Sequence, residues 1–238
     1  MSATVAELWR YPVKSMQGER VEALAIAPGG AEGDRMLAVV DPAARKVLSA
    51  KRYAELLMAS ARLVDGSVVI TLPAGDEYAA ADPAVHAALS AWLDKDVRLE
   101  APPSDGVYPM EMYTGMSDEA TPLFDWPGPA GTWLDVADAH LVTTASLGEW
   151  DVRRFRPTAL IDSDEAEDAW KTVALGAVEV AVFMATPRCS MPSRGQPGIE
   201  RDKSVGTTIR DTRGNNLGVY CSVTQAGTIA VGDAVTAR

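Results

Sequence analysis

The chain has 238 residues, 47% of them hydrophobic, enough for one large domain or two modest ones with a substantial core. Its 33 acidic and 22 basic residues leave a formal net charge of −11, which disfavours general binding to phosphate backbones and suits either a basic partner or plain solubility. No stretch approaches the roughly 20 apolar residues of a membrane helix, and MSATVAELWR lacks the basic-then-apolar order of a signal peptide, so the expectation is a cytoplasmic protein with no membrane partner.

In chain order, short apolar runs with β-branched residues predict strands over Val5–Trp9, Val21–Ala27, Met36–Val40 and Val68–Leu72. ADPAVHAALSAWLDKD predicts a helix, with Asp82 as N-cap, Pro83 at its first position, and Val85, Leu89, Trp92 and Leu93 on one face. From Pro102 to Gly131 prolines and glycines accumulate, which predicts a linker or a long functional loop. Within it Tyr113, Phe124 and Trp126 either line a pocket or pin the loop to the body. HLVTTASLGEW reads as a strand and a short helix, RPTALID as a strand, and VALGAVEVAVFMATP as a hairpin turning at Leu175–Ala177, its second strand covering Val178–Met184. The C-terminal LGVYCSVTQAGTIAVGDAVTAR reads as a hairpin turning near Gln225–Gly227. The expected class is mainly β with some helix (α+β), as two packed β-barrel-like domains divided into residues 1–120 and 121–238, with the interface between them a place for a ligand.

Several functions are disfavoured. The chain lacks a phosphate-binding P-loop, a serine elbow and a dinucleotide fingerprint. Two cysteines and two histidines, widely spaced, do not make a zinc site or an iron–sulfur cluster. Without an export signal the cysteines are expected as thiols. Strand alternation puts Val219, Cys221 and Val223 on one face and Tyr220 and Ser222 on the other, so Cys221 reads as core. Cys189 differs, because it ends a strand, opens the unhelical run TPRCSMPSRGQPG and follows a cation, Arg188. From local features alone it packs, reacts or holds a metal. Lys14, Ser15, Arg35 and Arg156 stand beside turns, and in an acidic chain each alone reads more readily as part of a surface ion pair than as a ligand clamp.

Taken together, LWRYPVKSMQGERVEALAIAPGGAEGDRMLAVVD, DVADAHLVTTASL, RRFRPTALID, TPRC and GVYCSV…GTIAVGDAV resemble the MOSC family, the first stretch its N-terminal β-barrel domain and the others the MOSC domain proper. The resemblance implies a molybdenum cofactor, Mo-molybdopterin, with Cys189 as the thiolate ligand of the metal. It places Pro187 and Arg188 along the cofactor, and Lys14, Ser15, Arg35 and Arg156 around its phosphate. Asp135, Val136 and Ala137 fall near the metal, and Tyr220 in the pocket. Cys189 and Asp135 become the candidate catalytic residues, Asp135 for proton transfer, although an Asp there also reads as a turn cap. Thr158 stands where many relatives have asparagine. The implied activity is reduction of N-hydroxylated small molecules, with electrons from a separate donor protein of ferredoxin or flavin-reductase type. A carrier of cofactor or sulfur using a Cys189 persulfide is the alternative, though the chain has no pyridoxal-phosphate domain to load it. The segment SMPSRGQPGIERDKSVGTTIRD is expected to shape the substrate mouth.

Overall fold

Alternating apolar side chains build a closed barrel. In the computed structural model, which describes residues 3–104, 108–113 and 122–238, its strands are β1 (Ala3–Arg10), β2 (Ala139–Thr143), β3 (Ala159–Asp162), β4 (Thr172–Leu175), β5 (Val178–Pro187), β6 (Asn216–Gln225) and β7 (Ala234–Ala237). Their order is β3-β2-β6-β5-β4-β7-β1, and β1 returns to pair with β3. The barrel of the second half is therefore sealed by β1, from the first half of the chain. Inside lie Val5, Leu8, Leu141, Ile161, Val180, Val219 and Cys221, and closure leaves these strands without a free edge. The alternation on β6 is as expected: Val219, Cys221 and Val223 are buried, while Ser222 is exposed and Tyr220 half-buried. Burial pushes the Cys221 thiol up to about 12, which makes it an inert packing group.

A second core forms in the first half, around Val13, Met16, Leu57, Ile70 and Leu99. The helix α1 (Ala84–Leu93) buries Val85 and Leu89 there, with Trp92 and Leu93 packed half-buried beside them. The Asp82 carboxylate accepts from the Ala84 amide at 2.9 Å, as its cap position requires. A third core, Val142, Phe155, Leu160 and Leu217, covers the outside of the barrel under the short helix α2 (Thr144–Leu147) and under α3 (Lys203–Arg213) through Val205 and Ile209.

Three expectations are corrected. The proline-rich segment contains a β-ribbon, Met110–Tyr113 against Leu123–Trp126. Its anchor is Glu111, whose carbonyl accepts from Lys51 Nζ at 2.7 Å and whose carboxylate pairs with Arg52. Phe124 and Trp126 are exposed and do not line the cleft described below, while Gly115 and the Tyr113 side chain lie outside what the structure describes. Second, Gln225–Gly227 is not a hairpin turn, because Gly227–Ala230 leaves β6 and pairs with Ala23–Ala27. Third, most of SMPSRGQPGIERDKSVGTTIRD lies away from the cleft, which only its Met191 reaches, and the segment contains most of α3. Among the described residues no helix is long and apolar enough to cross a membrane.

Candidate functional site

Turns, not strands, carry most of the charged groups. Lys14 and Ser15 sit in the turn after β1, Arg35 in the turn preceding Ala38–Asp41, and Asp135, Val136 and Ala137 in the loop before β2. Arg156 follows one 3-10 turn (Val152–Arg154), and Pro187, Arg188 and Cys189 stand where β5 ends. All of these, with Tyr220 of β6, line one open cleft of about 550 Å³. Every residue singled out for the site in the sequence is thus brought to a single place.

The backbone at this place is strained. Left-handed conformation costs a non-glycine residue roughly 1–2 kcal/mol. Of the described non-glycine residues with positive φ, Ser15 (69°), Arg35 (46°), Arg156 (54°) and Asn215 (69°) line the cleft. Surrounding bonds hold them there. The Arg35 amide donates to the Tyr11 carbonyl at 2.8 Å, and Ser15 Oγ accepts from the Ala50 amide at 3.1 Å. Asn215 is locked to Arg188 twice: the Arg188 amide donates to the Asn215 carbonyl at 2.8 Å, and Asn215 Nδ2 donates to the Arg188 carbonyl at 3.0 Å. Strain maintained at this cost clusters at functional sites.

Positive charge exceeds negative on the cleft wall. Lys14, Arg35, Lys51, Arg154, Arg156 and Arg188 face Asp34, Asp135 and Asp138, a local surplus of cations in a chain of net charge −11. Lys14 donates to the Trp133 carbonyl at 2.7 Å and to Asp135 at 2.8 Å, and Arg35 pairs with Asp34. Both Arg35 and Arg156 lie over the Tyr11 ring, at 4.8 and 4.1 Å from its centroid, and Arg156 also donates to the Met16 carbonyl. Burial, reinforced by Arg35, pushes the Arg156 guanidinium down to about 10. Burial likewise lowers Lys14, with Asp135 acting in the opposite sense. Desolvation alone would raise the Asp135 carboxyl, but Lys14, Lys51 and Arg35 outweigh it and hold it below the usual carboxylate range. Such a set suits an anionic ligand, which would relieve the repulsion between neighbouring cations.

Around Cys189 the wall is different in kind. Cys189 is partly exposed, and Arg188 beside it turns its guanidinium to the Phe155 carbonyl at 3.0 Å and over the Phe155 ring. His140 bridges this half of the cleft to the other, with Nε2 3.4 Å from Arg188 Nη1 and Nδ1 3.4 Å from the Arg156 carbonyl. Since a guanidinium only donates, Nε2 is the acceptor and Nδ1 carries the proton. Burial, then Arg188, push the imidazole down to about 3, so it is neutral. Tyr220 meets its ring edge-on at 5.5 Å, and burial pushes the Tyr220 phenol up to about 12. The Thr158 hydroxyl is committed to the fold, accepting from the His140 amide at 3.1 Å.

His140, Asn215 and Lys51 are cleft residues that sequence reasoning missed. The run Arg213-Gly214-Asn215 after a helix is a C-cap pattern in which Asn tolerates left-handed backbone, and that signal was available. His140 and Lys51 had none, because their partners lie across long stretches of chain.

Fold and cleft together define an α+β protein with a closed seven-stranded barrel and a cation-rich small-molecule cleft that carries a thiol on its wall. The chain belongs to the MOSC family: residues 2–102 match the MOSC N-terminal beta barrel domain, and residues 134–236 match the MOSC domain. It is 28% identical to "Mitochondrial amidoxime reducing component 2" of Macaca fascicularis over 280 residues, covering 98% of this chain and 82% of that protein. It is 24% identical to the Bos taurus protein of the same name over 278 residues, with the same coverage. Among solved structures it is similar to the YUAD protein from Bacillus subtilis, with a TM-score of 0.45 and 9% identity over 99% of this chain and 94% of that one.

Proposed function

We propose that the protein is a molybdenum-cofactor-dependent oxidoreductase that reduces N-hydroxylated small molecules, with the Cys189 thiolate as its ligand to the metal. One observation carries this reading: Cys189 and the cations Lys14, Arg35 and Arg156, from segments far apart in the chain, converge on one cleft. The relatives named as amidoxime reducing components support the substrate class. Lining residues from both halves, Lys14, Ser15, Arg35 and Lys51 with Asp135, Arg156, Arg188, Cys189 and Tyr220, support a site shared by the proposed domains 1–120 and 121–238, although β1 of the first half also completes the barrel of the second.

The residues present suit the group. Lys14, Ser15, Arg35 and Arg156 would hold the pterin phosphate, whose charge answers the cation surplus. Pro187 and Arg188 would lie along the pterin, with Val136, Ala137 and Tyr220 around the metal end. Cys189 would be a single soft protein ligand to the metal, with the remaining ligands supplied by the cofactor. When bound, the cofactor supplies the two-electron redox change by which an N–O bond is cleaved and the oxygen leaves as water with two protons. Asp135 is held ionised by Lys14, Lys51 and Arg35, which makes it a weak base, so its proposed role is to position the Lys14 cation and not to deliver the protons that the reaction consumes. Two electrons must come from outside, so a separate donor of ferredoxin or flavin-reductase type docks to the protein.

The test is protein purified from a host that makes the cofactor. Molybdenum and pterin fluorescence are expected in stoichiometric amounts, with reduction of an amidoxime by reduced viologen, and Cys189→Ala is expected to lose that reduction. Protein without molybdenum, or a Cys189→Ala variant of undiminished activity, would overturn the reading. A labile sulfur on Cys189 without metal, found by mass spectrometry, would replace it with the carrier.

A further inference from the structure

β5 breaks its own alternation just before the cysteine. Val182 pairs with Cys221 and Met184 with Tyr220, so Phe183 is an extra residue with no partner on β6. This is a β-bulge, a device that re-aims side chains and is frequent beside active sites. Regular alternation would pair Phe183 with Tyr220 on the outer face and return Met184 to the barrel interior with Val219. The bulge turns both outward instead: Phe183 is 47% and Met184 39% exposed. Phe183 stacks on Tyr220, with ring centroids at 6.5 Å and planes at 28°, and Tyr220 is braced edge-on by His140. Met184 and Tyr220 line the cleft with Cys189, and so does Val136, itself 38% exposed.

An apolar surface held open by a departure from strand geometry, and continuous with the cleft wall, asks for an occupant. We propose that Phe183, Met184 and Tyr220 form a shelf that seats the flat apolar flank of the substrate, so that the protein selects aryl over small alkyl N-hydroxy compounds. The proposal rests on the function proposed above. Its chemistry is that of the shelf: an exposed ring already stacked on a second one offers a face to a third, and a neighbouring thioether adapts to the edge of a ring. The cation-rich end of the cleft, assigned above to the pterin phosphate, lacks this character, so the shelf is left to the apolar flank of the substrate while the polar N-hydroxy head is directed toward Cys189.

The test compares benzamidoxime with acetamidoxime on holoprotein in which Phe183 is wild type, Thr or Trp. Phe183→Thr suits an exposed strand position, and Phe183→Trp keeps a stacking face. The expected result is a fall in the aryl-to-methyl ratio of kcat/KM by roughly 2- to 12-fold in Phe183→Thr, the size of one aromatic pair, with the ratio retained in Phe183→Trp. Binding of benzamidoxime to the oxidised holoprotein, followed by ligand-detected NMR with no electron donor present, is expected to weaken in parallel, with the aryl protons in closest contact. An unchanged ratio with unchanged binding overturns the shelf and leaves the proposed function standing. Equal losses on both substrates with a protein donor, recovered with reduced viologen, also overturn it and assign the face to the donor. A wild-type holoprotein that reduces neither compound yet binds the aryl one through Phe183 overturns the function and keeps the shelf.

Discussion

The inside of the barrel and the cleft on its outer wall are separated by one strand, and β6 belongs to both. Inward, Val219, Cys221 and Val223 pack in the apolar core of the barrel. Outward, Tyr220 meets His140, Phe183 and a wall crowded with guanidinium groups. The interior largely keeps strand patterning, with a bulge in β1 between Val5 and Glu7, whereas the cleft gathers left-handed Ser15, Arg35, Arg156 and Asn215 and the bulge at Phe183. Stability resides where the rules are kept, and chemistry where the structure holds residues against them. The two cysteines express the same division, one inert in the core and one open to the cleft.

The largest effect should come from exchanging the roles of those cysteines. Cys189→Ala is expected to reduce amidoxime turnover by at least about 100-fold, the upper end of what disturbing a metal's surroundings costs, while leaving the urea midpoint of the cofactor-free protein unmoved. Cys221→Ala should do the reverse, costing about 1–2 kcal/mol of stability with activity per folded molecule kept. Equal damage to stability from both would break the comparison. Next, Arg156→Met should weaken cofactor retention by about 10- to 100-fold, as expected for lost charge-assisted bonds. The cofactor-free protein should be as stable as wild type or more so, because a buried cation beside Arg35 is removed. A large loss of stability would mean that Arg156 belongs to the fold and not to the ligand.

The His140 imidazole sharpens the contrast through pH. Its folded value near 3 lies below the ordinary 6.5, so the unfolded chain takes up the proton first as pH falls. Its contribution to stability is complete above about 6.5 and is lost progressively toward 3, on the order of 2 kcal/mol between pH 7 and pH 5. Urea titrations of wild type and His140→Asn should show the smaller slope in the variant, and identical slopes would place the acid sensitivity elsewhere. The smallest effect is expected at Tyr11, whose buried hydroxyl has no hydrogen-bond partner among the described residues. Tyr11→Phe keeps the ring under Arg35 and Arg156 and should raise the stability of the cofactor-free protein by about 1 kcal/mol.

What could be read in advance follows the same division. Period-two alternation placed Tyr220 and Cys221 on opposite faces, and Gly176 marked the β4–β5 turn, because both are local. The pairing of Gly227–Ala230 with Ala23–Ala27 is long-range, and no local signal distinguishes it from a hairpin. The helix α3 was missed because Gly206, Thr207 and Thr208 weaken its propensity, although Asp202 caps it and Gly214 ends it. The β-ribbon was hidden by Pro109 and Pro122 at its ends. Cys189 and the cations were legible through the ordered motifs of the family. His140 and Lys51 were not, since only tertiary contact gives them meaning.

The central claim is that Cys189 supplies the protein's ligand to molybdenum. X-ray absorption at the molybdenum edge on wild-type, Cys189→Ser and Cys221→Ser holoproteins addresses it most directly. The sulfur shell should be the same in wild type and Cys221→Ser and should lose a single sulfur in Cys189→Ser. An unaltered sulfur shell in Cys189→Ser, or wild-type protein that takes up no molybdenum in a host making the cofactor, would contradict it.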